Sequence, residues 1–154
     1  MTPTFATHDE AAAEKIRGHH VHLEADLGRL AQALTAGGTQ ADFAQARGEL
    51  VTWLRTVLAP HAAGEEGTFY RAAAEIEAGR LLIAGMTAEH RVILGLVDEV
   101  ARAAEPAVAA AWAGALLRVF SSHAAKENDL VLPLLVAEPG VRLADLLEDM
   151  HSAH

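Results

Sequence analysis

The chain has 154 residues, 51% of them apolar but only 5% aromatic, because Ala fills 34 positions. That length supports one domain with its own core and is short for two, and the ordinary Gly and Pro content excludes a disordered or collagen-like polymer. Cys is absent, the formal charge is −9 and no Lys/Arg cluster occurs, which rules out thiolate chemistry and disulfides and leaves no basic face for nucleic acid.

Apolar residues recur at three- and four-residue steps and never in sustained alternation, so every predicted element is a helix. Thr7 with Glu10 has the form of a capping box, and Ile16, His20, Leu23, Leu27, Leu30 and Leu34 then form a stripe as far as Gly37–Gly38. A first helix is expected over about 8–36. Thr39 with Asp42 opens a second, of about 40–71, on which Phe43, Leu50, Leu54, Val57, His61, Glu65 and Phe69 share a stripe and Pro60 is expected to kink or locally unwind the backbone. After a loosely helical stretch from Glu75 to Arg80, a third helix carries Ile83, Met86, His90, Ile93, Val97 and Val100. Pro106 opens the fourth, which carries Trp112, Leu116, Val119, His123, Glu127 and Leu130 and is expected to stop near Pro133. Pro139–Gly140 precedes a short amphipathic tail with Leu143, Leu146 and Leu147. The expected architecture is all-α: one domain, an up-down-up-down antiparallel four-helix bundle over about 8–135, and a C-terminal helix of about 139–150. No run approaches eighteen apolar residues, and Met1 to Glu10 lack a basic segment followed by an apolar one. The expectation is a soluble cytoplasmic protein, and the Ala, Gly and Arg bias fits a GC-rich bacterial genome.

Nine His in so short a chain is the unusual feature, and four of them fall into a repeat. His61-x-x-x-Glu65 lines up with His123-x-x-x-Glu127, and the surroundings of His20 match those of His90 more weakly. Residues four apart share a helix face at about 6 Å along the axis, so each His–Glu pair aims two ligand groups one way, from inside the apolar stripe. A buried carboxylate and imidazole are costly unless paired or bound to metal. Four His and two Glu at one level would satisfy two ions, each taking two imidazoles, with Glu65 and Glu127 as bridges. Nitrogen and oxygen donors without sulfur suit iron and accept manganese or zinc.

At His20, His61-x-x-x-Glu65, Glu89-His90 and His123-x-x-x-Glu127 the chain resembles the hemerythrin family, in particular the bacterial hemerythrin-like cation-binding domains, over roughly residues 8–135. The resemblance implies a non-haem diiron centre (Fe2+/Fe3+, oxo- or hydroxo-bridged) in a four-helix bundle, binding or redox-converting dioxygen, nitric oxide or peroxide as carrier, sensor or enzyme. Metal ligands would be His20, His61, Glu65, His90, His123 and Glu127, with zinc or manganese as substitutes. Metal buffering without turnover and a helical interaction module with structural metals are the alternatives. Oxygen-carrying hemerythrins have a further His one turn before the position of His90, where this chain has Met86. The replacement is expected to be water or Glu24, one turn after His20, and the more open centre to favour peroxide turnover, oxygen reduction or nitric oxide binding. His19 and His22 point elsewhere on the first helix, although a register shift of one residue would put His19 in place of His20. Glu66 and Glu89 are expected at the surface or hydrogen-bonded to a ligand imidazole. Phe69, Tyr70, Trp112 and Phe120 are expected in the core, only Phe69 and Phe120 being near enough in sequence to wall the site, and His8, His151 and His154 in solvent.

Overall fold

Gly37 and Gly38 adopt positive φ (79° and 109°), which turns the chain out of its first helix, and Thr39 restarts it as a capping box. Asp42 N–H donates to Thr39 Oγ1 (3.1 Å) and Thr39 N–H to Asp42 Oδ2 (2.8 Å), satisfying two donors that a helix start leaves open. The computed structural model describes residues 5–152, which form α1 (Phe5–Ala33), α2 (residues 40–74), α3 (Arg80–Arg102), α4 (residues 106–137) and α5 (Leu143–Ser152). α1 and α3 each pack against both α2 and α4, closing the ring of an up-down-up-down bundle. No strand occurs among the described residues. Helix α5 lies across α1 and the second half of α2.

Three boundaries differ from the periodicity. Helix α1 already includes Phe5 and Thr7, so Thr7 is not its cap. The Arg142 guanidinium stacks 3.6 Å from the centroid of the Phe5 ring, a tertiary contact that no local pattern announces. Pro60 does not break α2, nor does Pro133 end α4, which runs on to Ala137. In both places a wide π turn comes first, at Leu54–Leu58 and Glu127–Val131, with i→i+5 bonds from Ala59 N–H to the Leu54 carbonyl and from Leu132 N–H to the Glu127 carbonyl. Proline has no N–H and its ring crowds the carbonyl four residues back; the widened turn takes up both defects. A third π turn, Glu66–Tyr70, follows the first His–Glu motif as Glu127–Val131 follows the second. Such turns recur at functional sites.

The tail is tied down from a distance. Buried Asp9 on α1 accepts the N–H of Ala144 (3.0 Å), acting as an N-cap for α5, while Leu143 and Met150 are buried beneath that helix. At the corner into α3, Gly79 has no room for a side chain: a Cβ there would stand 2.2 Å from the Ala73 carbonyl oxygen. Two apolar clusters make the core, one around Leu27, Leu54, Val97 and Leu116, the other around Ile16, Tyr70, Met86 and Leu135. Between them lies a level of buried polar side chains.

Candidate metal centre

That level consists of His20 from α1, His61 and Glu65 from α2, His90 from α3, and His123 and Glu127 from α4, none more than 7% exposed. All six residues expected from the repeat are here, in two groups: His20, His61 and Glu65, and His90, His123 and Glu127, with one ligand atom from each member of a group within 4.8 Å of the others. The carboxylates connect the groups. Glu65 Oε1 is 3.1 Å from His61 Nε2 and 3.8 Å from His90 Nε2, and its Oε2 is 3.9 Å from His20 Nε2. Glu127 Oε1 is 3.4 Å from His123 Nε2 and 3.8 Å from His20 Nε2. The register question on α1 resolves to His20. His19, exposed, lies outside the level with its ring 5.0 Å from that of His61 and tilted by 56° to it.

Three imidazoles are held from behind. His20 Nδ1 lies 2.7 Å from Asn128 Oδ1, His90 Nδ1 2.8 Å from Glu66 Oε1, and His123 Nδ1 3.1 Å from Glu89 Oε1, which Lys126 also contacts. An acceptor behind Nδ1 keeps the proton there and turns the Nε2 lone pair inward, the arrangement typical of metal-binding histidines. Glu66 and Glu89 therefore hold imidazoles. In His20 the Nε2, and in His61 both nitrogens, are buried without a hydrogen-bond partner. Such atoms are expensive inside a protein unless something else fills the space between them.

Burial pushes Glu65 upward, but the charge of His61 and the close approach of Glu127, His20 and His61 outweigh it and hold the carboxyl well below its ordinary range. Glu127 goes the other way: burial, the Glu65 charge and the close Glu65 carboxyl keep it well above. Burial and the neighbouring His90 charge lower His123 to about 4, leaving a neutral imidazole at neutral pH.

The residue missed by pattern reading is Tyr70. Its hydroxyl is 3.0 Å from Glu127 Oε2, 3.0 Å from His123 Nε2 and 3.3 Å from His90 Nε2, and its ring stacks on His90 at 5.0 Å between centroids. Burial and the charges of Glu127 and Glu65 push this phenol far up, so without a cation it is a hydrogen-bond donor to Glu127. On a regular α-helix the fifth residue after Glu65 would point about 140° away from it; the π turn at Glu66–Tyr70 brings it round to the same face. Glu24, expected as a possible replacement for the missing His, is not at the level. It accepts from Ser121 across α1 and α4. Met86 is buried in the apolar cluster that contains Tyr70, Phe69 lines a cavity next to His61, and Phe120 lies in the other cluster. His8, His22 and His151 are exposed, and His154 lies outside the described residues.

The family model for the hemerythrin HHE cation-binding domain matches residues 11–154. The chain belongs to the hemerythrin HHE family. No curated protein and no solved structure matches it. For a hemerythrin-family chain, the two His/Glu groups on four helices fit a metal-binding protein, and no helix among the described residues is long and apolar enough to cross a membrane.

Proposed function

We propose that this hemerythrin-family protein holds two iron ions and binds or redox-converts a small ligand of the dioxygen, nitric oxide or peroxide type. His20, His61 and Glu65 would hold one ion, and His90, His123 and Glu127 the other, with both carboxylates shared. The observation that carries the reading is the set of imidazole Nε2 atoms converging on two buried carboxylates, with His20 Nε2 and both His61 nitrogens lacking a hydrogen bond. Two cations would neutralise the carboxylates and take up the lone pairs, in a donor set that suits iron and accepts manganese or zinc. Tyr70 adds a phenol oxygen in the group that lacks the histidine of oxygen carriers, and that makes the centre chemically unlike a simple carrier's.

Iron, when bound, supplies electrons and open positions for the small ligand. The chain supplies orientation and a dry enclosure: Asn128, Glu66 and Glu89 fix three imidazoles from behind, and the two apolar clusters exclude water above and below. Burial of all six residues favours a retained centre over an exchangeable metal buffer. The test is metal analysis of protein produced in iron-supplemented medium, followed by absorption spectra with and without oxygen, azide and peroxide. About two irons per chain and ligand-dependent spectra are expected. Fewer than one iron per chain, or spectra indifferent to all three ligands, would overturn the reading.

A further inference from the structure

A cavity of about 870 Å3 lies between α1, α2 and α5 with His61 in its lining. That volume is in the range of pockets for drug-sized molecules and far exceeds the need of a diatomic gas or peroxide. Ile16, Val57, Phe69, Leu147 and Met150 give it apolar walls. Its charged and titratable lining comprises Lys15, His19, His22, His61 and His151, without one Asp or Glu, in a chain whose net charge is −9.

The repeat explains why this side lacks acid. Asn128 is the counterpart of Glu66, and each holds an imidazole of the His20/His90 pair. The counterpart of Glu89, which holds His123, is His19, whose ring lies tilted beside His61 without holding it. His61 is thus the one imidazole of the four with no partner behind it, and it is the one that faces the cavity. Where the other half of the molecule presents carboxylates that would repel an anion, this half presents imidazoles and an ammonium.

We propose that the cavity binds an amphipathic carboxylate, with its apolar body along Ile16, Phe69, Leu147 and Met150 and its anionic head among Lys15, His19 and His22 at the mouth. The assignment goes beyond the metal reading and does not depend on it, because none of these contacts uses a metal. Isothermal titration calorimetry of decanoate into the full chain, both iron-loaded and chelator-stripped, tests it. Saturable one-to-one binding to both forms is expected, with acetate, decanol and decyltrimethylammonium each weaker by at least about tenfold. Lys15→Glu is expected to weaken decanoate by about tenfold and leave decanol unchanged, and Val57→Trp, at an exposed wall position, to weaken both; unchanged helical circular dichroism would show the variants folded. Absence of saturable decanoate binding, equal affinity for the cationic amphiphile, or indifference to both substitutions would overturn the proposal. Binding confined to the iron-loaded chain would place the head on metal and overturn it too. A chain that binds decanoate but no iron would instead refute the metal reading alone.

Discussion

Tyr70 combines the chemistry of the centre with the geometry that put it there. Its hydroxyl stands within hydrogen-bond distance of His90, His123 and Glu127, so in an iron-loaded protein a phenol–iron absorption band in the visible is expected, and Tyr70→Phe should abolish it. The ring stacked on His90 survives that substitution, and unchanged far-ultraviolet circular dichroism would separate loss of the oxygen from loss of the fold. His123 gives a second measurement. In the metal-free chain its imidazole proton signals should titrate near pH 4, against an ordinary value of 6.5. Between those values the unfolded chain binds the extra proton and the folded chain does not, so this group's contribution to stability falls as the pH drops from 6.5 towards 4. A nuclear magnetic resonance titration checks the first statement, and thermal melts of native and His123→Gln protein across that pH range check the second.

The helices show what each local signal is worth. The capping box at Thr39 is entirely local, and Thr39→Ala should cost about 1 kcal/mol in denaturant unfolding, since one orphan donor loses its acceptor. Gly79 answers to tertiary crowding instead. Its substitution by Ala drives a methyl group against the Ala73 carbonyl and the Leu134 side chain, and a loss of about 1–3 kcal/mol, seen as a lower unfolding midpoint with unchanged slope, is expected. The local unwinding expected at Pro60 takes the form of the π turn at Leu54–Leu58, whereas Pro133 does not stop its helix because the π turn at Glu127–Val131 suspends the 3.6 residues per turn that periodicity assumes. The same assumption about register hid Tyr70 among core residues, although its place five residues after Glu65 was visible.

At the scale of the molecule, a polar level divides the hydrophobic core into two clusters, and cations would convert that interruption from a cost into a stabilising link between four helices. Chelator removal of metal should therefore lower the thermal midpoint, by an amount corresponding to about 4 kcal/mol where metal had exceeded its dissociation constant about a thousandfold. An unchanged melt after verified metal removal would show that the helices hold the level without ions. The bundle, its order of helices and the six convergent side chains were legible in the sequence because a helix repeats every 3.6 residues, and His and Glu four apart must share a face. The internal repeat then carried that face to the second half, from His61 and Glu65 to His123 and Glu127. Tertiary structure decided what lay beyond one helical period: the choice of His20 over His19, the service of Glu66, Glu89 and Asn128 behind imidazoles, the pairing of Glu24 with Ser121, and the turn of Tyr70 into the centre. Each depends on contacts between residues 20 to 108 positions apart, and local spacing carries no record of such distances. The basic-lined cavity belongs with them, since its walls come from α1, α2 and α5 and exist only once Asp9 has anchored the last helix to the first.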